Sequence, residues 1–172
     1  MRELILGGVR SGKSRLAEQH ALESGMKVVY VATAEVRDEE MRERIAHHQA
    51  RRPASWSLVE AGPDLAAVLQ REAAEGRCVL VDCLTLWLTQ LLCDSDEARL
   101  KMEVSELIRV LPGLPGEIIL VSNETNMGVV PMGELSRRYC DETGRLHQQL
   151  GAICERVILT VAGLPLVVKG SL

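Results

Sequence analysis

The 172 residues correspond to about one domain, and a chain of this size buries roughly 70 % of its surface, enough for a core without staples. A composition of 47 % hydrophobic and 26 % charged residues excludes a disordered chain, and a net charge of −4 gives no general pull toward nucleic acid or anionic membrane. Aromatic residues at 2 %, with no Phe, exclude a base-stacking platform for single strands.

In chain order, Glu3–Leu6 is a short apolar burst that reads as a strand and is too short for a signal-peptide core. Directly after it comes Gly7-Gly8-Val9-Arg10-Ser11-Gly12-Lys13-Ser14, which fits GxxxxGK[ST]. A helical pattern, Lys13–Ser24, follows, so the loop lies between strand and helix as a phosphate-binding loop must. Glycines let backbone N–H groups close around phosphate oxygens, and the helix N-terminus adds its positive dipole end. Lys13 is positioned to reach the β- and γ-phosphates, and the Ser14 hydroxyl to ligate Mg²⁺.

Lys27–Ala32 is the second strand. The polar stretch from Glu35 to Arg52 carries a helix over Arg37–Arg51, which by composition alone is a solvated face. On the helical wheel Met41, Ile45 and His48 fall within roughly 60° of one another and form a buried stripe. His47 points roughly 120° away, among Glu43, Arg44 and Arg51. A neutral imidazole is a good nucleophile toward phosphorus, and Arg51 and Arg52 are placed to hold developing phosphate charge. Trp56–Val59 is a weaker strand, and Asp64–Ala74 a helix.

Cys78–Asp82 is a strand that ends in an acid. Asp82 is the candidate partner of Ser14 on Mg²⁺, the alternative being an N-cap of the helix over Leu84–Leu92. A helix over Asp96–Val110, a sharp turn at Pro112–Gly116 and a strand over Glu117–Ser122 follow. In the last helix, Glu134–Cys154, a core stripe is expected of Leu135, Tyr139, Leu146, Leu150 and Ile153. Arg156–Val161 is a strand, and Leu166–Lys169, after Gly163-Leu164-Pro165, is placed for an antiparallel edge return. Most strands are apolar without alternation, as in a parallel sheet buried on both faces. The expectation is α/β: one three-layer P-loop domain over residues 1–172, with a mostly parallel sheet and an antiparallel edge strand at the C-terminus. Five cysteines without a CxxC pair read as reduced thiols, hence cytoplasm, and no apolar run is long enough to span a bilayer.

Further blocks stand in order along the chain: Tyr30-Val-Ala-Thr-Ala34, Asp38-Glu-Glu-Met41, Arg44-Ile-Ala-His-His-Gln49, Arg52-Pro53, Trp56 and Glu60. Then come Asp82-Cys-Leu-Thr85, Ser122-Asn-Glu124, Gly128-Val-Val-Pro131 and Gly144-Arg145. With Gly7–Ser14 they cover nearly the whole chain, and it resembles the bifunctional adenosylcobinamide kinase / adenosylcobinamide-phosphate guanylyltransferase family of the cobalamin pathway. The resemblance implies phosphorylation of the corrinoid's aminopropanol hydroxyl by ATP or GTP, then GMP transfer from GTP to that phosphate through a guanylylated histidine. The matching position is His47, the residue that the wheel separates from the core stripe. GTP contacts carry over to Gly7, Gly8, Val9, Arg10, Ser11, Gly12, Lys13 and Ser14, to Ala32, Thr33 and Ala34, to His48, Gln49, Ala50 and Arg51, and to Glu60 and Asp82. A RecA-like sheet and a homotrimer are implied as well. The sequence departs from the family pattern at Asp82 (often Glu), Asn126 (often Gly), Cys140 (often Arg) and His147 (often Asn). Without the resemblance, the residues alone also fit a plain P-loop small-molecule kinase, a non-catalytic or motor ATPase domain, or an inactive nucleotide-binding protein.

Overall fold

A computed structural model of the chain describes residues 1–33, 53–94 and 96–171. Seven strands form one sheet: β1 (Arg2–Gly7), β2 (Lys27–Ala32), β3 (Ser57–Glu60), β4 (Arg77–Asp82), β5 (Glu117–Asn123), β6 (Arg156–Val161) and β7 (Leu164–Lys169). Their spatial order is β3-β2-β4-β5-β1-β6-β7, and every pairing is parallel except β6 with β7. The described helices are α1 (Lys13–Glu23), α2 (Leu65–Glu72), α3 (Leu84–Cys93), α4 (Glu97–Val110) and α5 (Glu134–Ile153). The mostly parallel α/β expectation holds, and so does the antiparallel C-terminal edge. The helix expected over Arg37–Arg51 lies outside the described residues.

Strand alternation divides the core in two. Leu4, Val29, Val31, Val79, Val81, Ile118 and Leu120 face α2 to α5, where Trp87 and the leucines of α3 close the larger cluster. Their sequence neighbours Ile5, Val28, Tyr30, Cys78, Leu80, Ile119 and Val121 face the other way, onto Ala17 and Ala21 of α1. Both faces are therefore dry, which is why these strands are apolar runs rather than alternating patterns.

Two sequence expectations shift. The return of β7 turns on Ala162 and Gly163, at φ 52° and 80°, so Leu164 and Pro165 already belong to the strand. Two consecutive positive φ values are those of a tight type I′ hairpin, whose twist matches its strands. In α5 the expected core position Leu135 is 55 % exposed. The first turn of that helix projects past the cluster, Tyr139 and Ile153 pack against it partly buried, and the buried positions begin at Thr143 and continue with Leu146, His147 and Leu150.

Candidate active site at the carboxyl edge of the sheet

The parallel registers bring the polar strand ends to one edge. Gly7 lies opposite Asn123, and Ala32 opposite both Glu60 and Asp82. In open parallel sheets this carboxyl edge is where ligands bind.

The loop from Gly7 to Ser14 curls there. Gly12 takes the left-handed conformation at φ 96° and forms the N-cap of α1, while Arg10 sits at φ 56°. Gly7 has no room for a side chain: a Cβ would lie 2.3 Å from Ser11 Oγ and 2.8 Å from the Thr160 carbonyl. A Cβ on Gly12 would come within 3.2 Å of Gly163 Cα. The Gly163 N–H donates to the Ser11 carbonyl at 2.9 Å, so the β6–β7 hairpin braces the loop from outside. Gly8, Val9 and Arg10 are exposed at the rim. Ser11 Oγ is buried and has no hydrogen-bond partner among the described residues.

Lys13 is buried, and its ammonium donates to the Gly8 carbonyl at 3.1 Å, inside the curl. Burial draws its pKa below the ordinary lysine value, and the neighbouring Cys83 and Asp82 act against that shift. Both lie at the end of β4, next but one to β1, so Lys13 and Asp82 face a common space across β5.

Asp82 is not a helix cap. The N-cap position of α3 is Cys83, which makes no side-chain cap bond, and Asp82 Oδ2 accepts the Tyr30 hydroxyl at 3.0 Å. The Thr33 hydroxyl donates to the Cys83 carbonyl at 2.6 Å and accepts the Cys83 N–H at 2.9 Å. The Thr33 carbonyl in turn accepts from Gln90 Nε2 at 2.7 Å. Thr33 is fully buried, so its hydroxyl fixes the backbone beside Asp82 rather than opening toward solvent. Glu60 is exposed at the end of the edge strand β3, and Ala32 ends β2 between the two acids. Ala34, His47, His48, Gln49, Ala50 and Arg51 lie outside the described residues.

Among the described residues no group of three or more His, Cys, Asp or Glu is arranged to hold a metal ion by itself. The hard oxygens of Ser14 and Asp82 instead fit Mg²⁺, which is normally held by one or two protein groups together with phosphate oxygens and water.

A second polar cluster, of Ser122, Glu124, Asn126 and His147, stands at the end of β5. Glu124 N–H donates to the Gly7 carbonyl at 3.0 Å, where the phosphate-type loop begins. Its carboxylate accepts the Asn126 N–H at 2.7 Å, with Oε2 3.7 Å from His147 Nδ1. His147 Nε2 lies 2.8 Å from Ser122 Oγ, which is buried. Burial lowers the His147 pKa, with Glu124 acting against the shift. The available signal was the i, i+3, i+4, i+7 stripe Thr143, Leu146, His147 and Leu150, which puts a histidine on the core face under a polar strand end.

Residues 3–168 match the family described as cobinamide kinase / cobinamide phosphate guanyltransferase. The chain belongs to this family. It is accordingly an enzyme of two activities, a kinase and a guanylyltransferase. A similar family protein is the bifunctional adenosylcobalamin biosynthesis protein CobP of Pseudomonas aeruginosa, 62 % identical over 171 residues and covering 99 % of both chains. The bifunctional adenosylcobalamin biosynthesis protein CobU of Escherichia coli K12 is 36 % identical, covering 96 % of this chain and 98 % of its own. Among solved structures, the RadB recombinase matches with a TM-score of 0.55 at 20 % identity, over 92 % of this chain and 73 % of its own. That likeness concerns the fold alone.

Proposed function

We propose that this enzyme phosphorylates adenosylcobinamide with a nucleoside triphosphate and then transfers GMP from GTP to the resulting phosphate, giving adenosylcobinamide-GDP and pyrophosphate. The observation that carries the reading is the closed loop around the Lys13 ammonium, opposite an acid at the end of β4, in a chain of this family. Nucleotide contacts are assigned to Gly7–Ser14, Ala32, Thr33, Ala34, His48, Gln49, Ala50, Arg51, Glu60 and Asp82. Lys13 neutralises the β- and γ-phosphates, and the backbone N–H groups of the loop and of the α1 N-terminus hold the remaining oxygens. Ser14 and Asp82 would hold Mg²⁺. A Mg²⁺ ion held there would supply positive charge to offset the negative charge that develops on the leaving group.

The first transfer occurs at the γ-phosphorus and takes the substrate hydroxyl as nucleophile, so it needs no covalent enzyme intermediate. The second occurs at the α-phosphorus. There His47 attacks, pyrophosphate leaves, and the substrate phosphate displaces the imidazole, replacing one hard step by two easier ones. A homotrimer belongs to the same reading. It is supported by β7, whose Leu164, Leu166 and Val168 are 71 %, 58 % and 64 % exposed along an edge that a neighbouring copy would cover. A cytoplasmic location is supported by the five free thiols.

Lys13→Ala tests the shared cradle. It removes an aimed cation, worth on the order of 3 kcal/mol or roughly a hundredfold in rate, from both reactions. Formation of adenosylcobinamide phosphate from ATP, and of adenosylcobinamide-GDP from GTP, are followed by chromatography. Either rate staying within a few-fold of wild type contradicts the assignment of the loop.

A further inference from the structure

The cluster at the end of β5 has no part in the mechanism so far, although β5 is the parallel neighbour of β1. Glu124 leaves the sheet where the phosphate-type loop leaves it, bonded through its own N–H to the Gly7 carbonyl. The carboxylate is 14 % exposed, and one of its oxygens accepts the Asn126 N–H. Behind it stands His147, a buried imidazole whose Nδ1 has no hydrogen-bond partner among the described residues and lies 3.7 Å from Glu124 Oε2. On its far side, Nε2 meets Ser122 Oγ at 2.8 Å. A polar core group left half-satisfied is costly, so its geometry calls for a purpose.

We propose that Glu124 is the general base of the kinase step, and that His147, backed by Ser122, is the positioning residue that aims its carboxylate. The proposal rests on the kinase half of the reading above. With the Ser122 hydroxyl donating to Nε2, the imidazole keeps its proton on Nδ1, the nitrogen that faces Glu124. That nitrogen stands 3.7 Å from Glu124 Oε2, close enough to limit the orientations open to the carboxylate. Burial lowers the pKa of the ring, which favours its neutral form. The acceptor hydroxyl oxygen then attacks the γ-phosphorus in line. The bond from that phosphorus to the β–γ bridging oxygen breaks, and its electron pair leaves with the nucleoside diphosphate. The hydroxyl proton passes to a Glu124 oxygen and from there to solvent. Proton acceptance of this kind contributes about 10²–10⁴-fold.

Steady-state phosphorylation of adenosylcobinamide by ATP tests both roles. Glu124→Gln keeps the shape and the acceptor for Asn126 but takes no proton in the transition state. It lowers kcat roughly a hundredfold or more and leaves the KM for ATP within about threefold. His147→Leu lowers kcat roughly tenfold at unchanged KM, and His147→Asn, which restores an N–H near the Nδ1 position, recovers most of that loss. A Glu124→Gln enzyme with wild-type kcat overturns the base. Loss in His147→Leu that appears in KM, or that His147→Asn does not recover, overturns the positioning role. Wild-type enzyme with no turnover of adenosylcobinamide is a different result, because it overturns the kinase reading itself.

Discussion

Asp82 ends β4 close enough to Lys13 for its carboxylate to act on the ammonium. As the acid before a helix it is a good cap, yet the cap position belongs to Cys83 and the carboxylate turns to Tyr30. Asn in its place keeps an acceptor for the Tyr30 hydroxyl and loses only the charge. Asp82→Asn therefore raises the Mg²⁺ concentration for half-maximal rate while leaving thermal stability nearly unchanged. A Mg²⁺ titration superimposable on wild type contradicts the ligand role. The residues of the loop were legible in sequence because their chemistry dictates their spacing: Gly7 and Gly12 are where a Cβ would strike Ser11 Oγ and Gly163 Cα. Glu124 and His147 were not legible as a pair. They are 23 positions apart, from 124 to 147, and only the packing of α5 on the β5 end brings them together.

At the scale of elements, α3 holds the site's foundation. It follows Asp82 within two residues, and Leu84, Trp87, Leu88 and Leu91 are buried against the sheet. Trp87 is fully buried, and its Nε1–H donates to the Pro63 carbonyl at 2.7 Å, tying the segment before α2 to the centre of the core. Trp87→Ala costs about 3–5 kcal/mol, read as a lower urea midpoint. A loss under about 1 kcal/mol would mean that the surrounding leucines collapse into the space. The strands were legible because burial on both faces makes them apolar bursts, and their ends agree with the structure to within about two residues. Helix α5 starts at Glu134 as expected, but the burial of Leu135 does not follow, because periodicity assigns a face and not a depth: Leu135 is on the stripe yet beyond the cluster it would join.

For the whole molecule, the buried imidazole of His147 links stability to pH. Its folded-state pKa lies below the ordinary value of 6.5, so the unfolded chain binds the proton more readily. Its stability contribution is complete above about pH 6.5 and is lost as pH falls toward the folded value. Urea midpoints at about pH 7.5 and 5.5 check this, with wild type losing more on acidification than His147→Asn; equal losses would remove His147 as the cause. The sheet with its P-loop edge accounts for nucleotide chemistry, and the family accounts for two reactions from one chain. What joins them in the proposed cycle is a histidine that carries GMP, and this is tested by incubating the protein with GTP labelled at the α-phosphorus and measuring acid-labile label on the chain. The account predicts label on wild type, none on His47→Ala with its kinase turnover largely kept, and label on folded His48→Ala. Label that survives in His47→Ala, or wild type that never takes it up while transferring GMP, would contradict it.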